Sequence, residues 1–353
     1  MDFESILRDA VAKKASDIFI IAGIPISYKI NGVIQKQSEK CLTPKDTEAL
    51  LSDAYKCDGN RDIAKFLTTG DDDFSISIPG LSRFRMSTYK SRGSLSAVIR
   101  LIAFGIPDPK EISIPDEVMS VVNKSKGLVL VTGPAGGGKS TTLACVIDKI
   151  NKTRNNHIIT LEDPIEFIHK NNKSTISQRE IHTDTEDYVT ALRASLRQSP
   201  DVILVGEMRD FETIRTAMTA AETGHLIIST LHSVGAANTV DRIIDAFPPN
   251  QQQQIRVQLS QLLQTVISQQ LIPTVNGKLI PAFEIMQCNG AIRNMIRESK
   301  IHQIDNAINS FGEEGMISMD NYLIKLFKNN HISAETAVRY SINPESVGRK
   351  INS

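Results

Sequence analysis

Gly133-Pro134-Ala135-Gly136-Gly137-Gly138-Lys139-Ser140 is the stretch that decides how this 353-residue chain reads. It follows the apolar run Leu128 to Thr132, opens a helical stretch from Thr141 to Ile150, and satisfies G-x-x-x-x-G-K-[ST] at every fixed position. The glycines let successive backbone N–H groups curl around a phosphate chain, and the N-terminus of the following helix adds partial positive charge. Lys139 is placed to reach the β- and γ-phosphates, and the Ser140 hydroxyl to ligate Mg²⁺. The whole run Gly133, Pro134, Ala135, Gly136, Gly137, Gly138, Lys139, Ser140 with Thr141 is the candidate nucleotide contact.

Working outward, three more short apolar strands appear at Ile158–Leu161, Val202–Val205 and Leu226–Thr230, each followed by a polar or helical segment. Apolar strands alternating with helices predict a parallel sheet covered on both faces, with ligands at the carboxyl ends of its strands. Val202–Val205 runs into Gly206-Glu207, which delivers a carboxylate to that edge as a second acidic group near the metal. Glu207 as the cap of the next helix is the plainer alternative. Ile158–Leu161 runs into Glu162-Asp163-Pro164-Ile165-Glu166, and Glu166 is the candidate base for the attacking water, with Glu162 and Asp163 as polar support. A solvated acidic turn would have the same sequence. His225 and His232 flank the remaining strand on opposite faces, because side chains alternate with period two. His232, at the carboxyl end, is the candidate sensor of the γ-phosphate, and His225 the structural one.

The first hundred residues read differently. Ile6, Leu7, Ala10 and Val11 sit at helical spacing, Ile18–Ile21 is a strand, and Asn31-Gly32 between Ile26–Ile30 and Val33-Ile34 is a hairpin signal. Phe74, Ile76 and Ile78, a Pro79-Gly80 turn, and Phe84, Met86 and Thr88 alternating with Arg83, Arg85 and Ser87 predict an antiparallel sheet with arginines on one face. Pro107, Pro109 and Pro115 disfavour helix, so the expected division is an α+β domain over 1–104, a linker over 105–115 and a nucleotide-binding domain over 116–353. The polar run Gln251–Gln254 reads as the solvated first turn of a helix that Ile255, Leu259, Leu262, Leu263, Val266 and Ile267 continue at helical spacing, and the region from about 290 onward reads as helical.

Composition narrows the partners. Forty Lys+Arg balance forty Asp+Glu, aromatics make up 5 % and Trp is absent, which argues against a basic, aromatic-lined channel for nucleic acid. The four cysteines form no C-x-x-C pair for zinc, and no run of apolar residues is long enough to cross a bilayer, so a cytoplasmic protein without a transmembrane segment is expected. Asn123-Lys124-Ser125-Lys126 lacks the Asp of a guanine-reading motif.

Taken together, Gly133–Ser140, Glu162–Glu166, Gly206-Glu207-Met208-Arg209-Asp210 and Thr223-Gly224-His225 through Leu231-His232 resemble the Walker A, Asp, Walker B and His boxes of the secretion ATPase superfamily. The run Ala291-Ile292-Arg293-Asn294-Met295-Ile296-Arg297-Glu298 is similar to the C-terminal signature of the type IV pilus retraction ATPases within it. The resemblance implies an N-terminal PAS-like domain, a RecA-like P-loop domain with a helical C-terminal extension, a homohexamer, ATP and Mg²⁺. It carries Glu166 over as catalytic glutamate, Glu207 as Walker B acid and His232 as His-box residue. Arg83, Arg92 and Arg100, with Arg197, become candidates for phosphate contact, although solvated arginines would read identically. The implied activity is ATP-driven pilus retraction through an inner-membrane platform protein, from a position at the inner face of the cytoplasmic membrane. A conjugation or type IV secretion motor and a pilus extension ATPase are the neighbouring alternatives; extension ATPases carry a longer N-terminal region and usually a tetracysteine zinc site. Two departures stand out: Ser16-Asp17-Ile18-Phe19-Ile20 replaces the usual Ser-Asp-Leu-His-Leu, and Ala135 and Gly137 stand where Thr and Ser are more common.

Overall fold

The alternating residues of the first hundred positions and the continuous apolar strands after them fold into separate sheets. The structure is a computed structural model that describes residues 2–30, 32–57, 59, 61–102 and 105–352. The chain divides into two compact units, residues 1–105 with 166–168, and residues 106–165 with 169–353.

In the first unit, α1 (Phe3–Ala12), β1 (Asp17–Ile20), β2 (Ser27–Ile30), β3 (Val33–Lys36), α2 (Pro44–Cys57), α3 (Ala64–Thr69), β4 (Asp71–Ile78), β5 (Ser82–Ser91) and β6 (Ser94–Ile102) follow one another. All pairings are antiparallel, in the order β3-β2-β1-β6-β5-β4. Asp2 caps α1 by accepting from the Ser5 N–H at 2.8 Å, and Phe3, Ile6, Leu7 and Ala10 turn one stripe of that helix inward. That stripe and Leu50, Leu51, Ala54 and Tyr55 of α2 pack with Ile18, Ile20, Phe84, Met86 and Ile99 into one core. Along β5 the residues Phe84, Met86 and Thr88 are buried while Arg83 and Arg85 are half-buried, so the period-two reading matches the observed faces. The hairpin joins β2 to β3 with Gly32 at φ +80°; its other turn residue, Asn31, lies outside the described residues.

The second unit contains α4 (Asp116–Met119), β7 (Gly127–Thr132), α5 (Lys139–Thr153), β8 (His157–Glu162), β9 (Thr175–Glu180), α6 (Tyr188–Ser195), β10 (Val202–Val205), α7 (Phe211–Glu222), β11 (Leu226–Leu231), α8 (Ala236–Asp245) and α9 (Pro249–Leu262). It continues through β12 (Leu263–Pro273), β13 (Leu279–Gln287), α10 (Gly290–Arg297), α11 (Ile304–Ser310), α12 (Met319–Lys328), α13 (Ala334–Tyr340) and α14 (Pro344–Asn352). The strand order is β13-β12-β7-β11-β10-β8-β9, parallel throughout except for β13. Alternate residues of each apolar strand feed two cores: Leu128, Leu130, Ile159, Leu161, Ile203 and Val205 pack on one face, and Val129, Val131, Ile158, Val202 and Leu204 on the other. Among the described residues no helix is long and apolar enough to cross a membrane.

Two expectations change. The stretch 105–115 is not a free linker, because residues from Ile106 onward belong to the second unit, where Ile106, Ile112 and Ile114 pack against the Val129–Val131 core. The prolines forbid helix there without forbidding packing. The helix expected to run through Ile267 ends at Leu262, and β12 begins at Leu263. Thr265, Val266 and Ile267 are all buried, so this strand is buried on both faces and its spacing satisfies a helical template by coincidence. The edge strand β9, Thr-Ile-Ser-Gln-Arg-Glu, and the antiparallel β13 carry no comparable signal.

The alternation along β5 has a direct test. Met86→Ala should lose about 2–5 kcal/mol of stability, and its neighbour Ser87→Ala, on an exposed position, less than about 0.5 kcal/mol. Urea denaturation with equal losses for the two would contradict this register.

Candidate functional site

Thr132 pairs with Leu231, and Val205 pairs with both Ser229 and Leu161. Continuing those registers, Gly133, His232, Glu207 and Glu162 leave their strands within two residues of one level. Four adjacent strands, β7, β11, β10 and β8, therefore deliver the phosphate loop, the candidate sensor and the acids to one edge of the sheet.

The loop Gly133–Gly138 is shaped by close backbone approach. A Cβ on Gly133, at φ +139°, would stand 2.0 Å from the Gln269 carbonyl oxygen of β12, so no other residue fits without moving that strand. Pro134, Ala135 and Gly136 are exposed, and the Gly137 N–H donates to the Pro134 carbonyl at 3.1 Å. Gly138 precedes α5 without a side-chain cap, leaving the first N–H groups of that helix to be met from outside it. Lys139 is buried and curls back, its Nζ donating to the carbonyls of Gly133 and Pro134 at 2.9 Å each. Ser140 and Thr141 are half-buried in the first turn. Thr142 donates to Gln269 Oε1 at 2.7 Å, which ties α5 to β12. Beside that turn a cleft of about 310 Å³ is walled by Ile112, Ile114, Leu271, Leu279 and Pro281.

At the ends of β10 and β11, hydroxyls hold the backbone. Ser229 donates to the Val205 carbonyl at 2.7 Å, Thr230 to the Gly206 carbonyl at 2.6 Å, and the Met208 N–H to the Thr230 carbonyl at 3.1 Å. The Glu207 side chain, 13 % exposed, then meets Arg209 Nε at 2.7 Å and His232 Nε2 at 3.3 Å on one carboxylate oxygen. Glu207 is thus not the cap of α7, a role filled by Asp210, which accepts from the Thr213 N–H at 2.9 Å and hydroxyl at 2.8 Å. His225 is at the other end of the strand, its Nδ1 3.0 Å from both the Thr223 hydroxyl and the Ala220 carbonyl.

The acidic turn is less of a cluster than its sequence suggests. Glu162 is drawn back along β8, accepting from Thr160 at 2.6 Å and Gln178 at 3.2 Å. Asp163 is exposed and joined to Pro164 by a cis peptide bond. Glu166 is exposed, and among the described residues it makes no hydrogen bond or ion pair; it lies in the piece 166–168 that groups with the first unit. Of the arginines, Arg83 donates to Ser77 at 3.3 Å, and Arg92 occupies the β5–β6 turn at φ +50°. Arg100 is 68 % exposed and donates through Nε to the buried Asp17 at 3.0 Å. Arg197 is exposed in the turn that closes α6 rather than within the helix.

Several contributors were not legible beforehand. Tyr188 of α6 is one: burial pushes its phenol well above its usual value, and the charges of Glu207, Asp163 and Glu162 add to the effect. Buried Glu180 accepts from the Ile165 N–H at 3.0 Å and so holds the acidic turn from β9. Gln269 and Glu180 act across strands, and only the sheet order brings them to the site.

Residues 2–309 match the family model described as type II/IV secretion system protein. A protein of Pseudomonas aeruginosa described as the type IV pilus retractation ATPase PilT is 42 % identical over 346 residues, covering 98 % of this chain and 100 % of that one. A twitching motility protein of Neisseria gonorrhoeae is 46 % identical over 276 residues, 78 % of this chain and 74 % of its own. Among solved structures, the pilus retraction motor PilT with bound ADP superposes with a TM-score of 0.92 at 43 % identity, covering 99 % of both chains.

The tightness of the phosphate loop yields a clear outcome for Gly133→Ala. Its methyl group collides with the Gln269 carbonyl, so affinity for a fluorescent ATP analogue should fall by more than about a hundredfold, an order set by the several kcal/mol of displaced backbone. Unchanged affinity would mean that the loop does not hold the nucleotide.

Proposed function

This chain belongs to the family of type II/IV secretion system proteins, and we propose that it is the ATP-hydrolysing motor that retracts type IV pili. The observation that carries the reading is the match to a pilus retraction ATPase over 98 % of this chain, whose own phosphate loop and Glu207–His232 pair share one sheet edge.

The chemistry follows from that edge. The backbone N–H groups of the glycine loop and of the first turn of α5 bind the phosphates, and Gly133 seats that loop against the Gln269 carbonyl, where no Cβ fits. Lys139 exchanges its two loop carbonyls for β- and γ-phosphate oxygens. The donors present, a Ser140 hydroxyl and a Glu207 carboxylate, are hard oxygens of the kind that suit Mg²⁺, which neutralises charge developing between β- and γ-phosphate when bound. The apolar walls of the cleft beside Thr141 suit the face of a base.

Glu166 takes the proton of the attacking water; its exposed, unbonded carboxylate is available for that role in a way that Glu162, already accepting two hydrogen bonds, is not. His232 is fixed by Glu207 and reports the γ-phosphate. Arg83, Arg92 and Arg100 of the first unit, and Arg197, are the candidates for countering phosphate charge. The first unit is read as the PAS-like domain and the second as the RecA-like domain of a homohexamer. The ring works at the inner face of the cytoplasmic membrane on a pilus platform protein, with ATP and Mg²⁺ as its small-molecule requirements.

Glu166→Gln should retain nucleotide binding while ATP hydrolysis drops by about a hundredfold or more, as for loss of a general base; wild-type turnover in this variant removes Glu166 from the role. In cells, deletion of the gene should leave surface pili present and abolish twitching. Absence of pili in the deletion strain would point to extension instead, and stimulation of hydrolysis by single-stranded DNA would replace a pilus motor with a translocase.

A further inference from the structure

The mechanism leaves one buried carboxylate unused. Glu284 on β13 is 2 % exposed, and among the described residues it makes no ion pair. Its Oε1 accepts from the Ala236 N–H at 2.7 Å, and its Oε2 from the Met319 N–H at 3.3 Å. Those are the first residues of α8 and of α12, so a single carboxylate faces the positive ends of two helices. Burial pushes its carboxyl up, and the two backbone hydrogen bonds pull it down.

We propose that Glu284 is a positioning residue of the hydrolytic site, anchoring the loop that carries His232 and tying it to the start of the C-terminal helices α12–α14. The inference rests on the sensor role proposed above for His232.

Three observations lead to it. Only Ser233, Val234 and Gly235 separate His232 from α8, so the position of that helix limits where the imidazole can stand. The N-cap of α8 is Gly235, which has no side chain to cap with and sits at φ +89°, ψ 144°, a region close to glycine-only. Capping is instead supplied by the sheet, with the Gly235 N–H donating to Ser268 Oγ at 2.9 Å and the Ala236 N–H to Glu284. Ser268 and Glu284 are directly opposed across β12 and β13, and Ser268 is opposed to Thr132 across β12 and β7. Thr132 precedes the phosphate loop, and its hydroxyl is 3.4 Å from that of Thr239, which also meets Ser233 Oγ and the Gly235 carbonyl at 2.7 Å each. A buried polar row thus runs from the base of the phosphate loop, under the sensor loop, to Glu284. On the far side Ile317 pairs with Ile285 next to Glu284, seating α12 on the same strand.

The test compares wild type, Glu284→Gln and Ser268→Ala by steady-state ATP hydrolysis and by hydrogen exchange of the full chain. The glutamine has one acceptor oxygen for two N–H groups and turns an amide N–H₂ toward the other, so it cannot hold both helix starts at once and both anchors weaken while the side-chain volume is kept. Glu284→Gln should lower kcat by about tenfold with KM for ATP within about twofold, the pattern of a residue acting through another. In a His232→Ala background it should add no further loss, because the two act as one unit. Exchange should quicken at residues 236–239 and 319–322 in Glu284→Gln, and at 236–239 alone in Ser268→Ala. Wild-type kcat in Glu284→Gln, a loss additive with His232→Ala, or unchanged exchange at 236–239 would each overturn the inference. A wild-type protein that binds but does not hydrolyse ATP would sink the ATPase reading and leave the exchange result to decide the anchoring.

Discussion

In-register parallel pairing of β7, β11, β10 and β8 is the constraint on which the rest of the second unit depends. The strands lie about 4.8 Å apart and are buried on both faces, so none can slide without moving its side chains from one core to the other. That rigidity brings a glycine loop, a histidine and a glutamate, drawn from residues 133 to 232, to one level. No local interaction among the polar residues would hold them there against their mutual desolvation. The hydroxyls of Ser229 and Thr230, bonded to the carbonyls of Val205 and Gly206, extend the pairing one step beyond the last apolar residue.

Legibility in the sequence followed the range of the interaction. The phosphate loop could be read because its pattern is local: the glycines, the lysine and the serine stand at fixed offsets within eight residues, directly after an apolar strand. The strands Leu128–Thr132, Ile158–Leu161, Val202–Val205 and Leu226–Thr230 could be read because each is short, apolar and bounded. β12 was misread for a physical reason. A strand buried on both faces has no period of its own, and Leu259, Leu262, Leu263, Val266 and Ile267 fit a helical template as well as a strand that begins midway. That Glu207 does not cap α7 depends on Asp210, three residues further on, which fills that place. Tyr188, Glu180 and Glu284 act at distances in sequence that pattern does not encode.

The carboxylates at the sheet edge have been separated by what each is given to bond. Glu207 faces two nitrogens on one oxygen, Glu162 a hydroxyl and an amide, Glu180 a backbone N–H and the Thr183 hydroxyl, and Glu166 has none among the described residues. A neutral whole-chain balance of forty bases and forty acids conceals that local segregation.

Polar residues within the sheet itself follow the same logic. Burying a hydroxyl or carboxylate is costly unless it is bonded, and the polar row Thr132, Ser268 and Glu284 crosses three buried strands where three loops must be held. Each member is bonded to, or lies beside, groups at the start of α8 or α12, so the polar row has the character of a joint. A sheet apolar to its last residue would be easier to bury and would leave α8, whose own N-cap is a glycine, without an acceptor for its first N–H groups. The polar row is therefore placed where the need for backbone acceptors outweighs the gain from apolar packing, at the single level that also carries the phosphate loop.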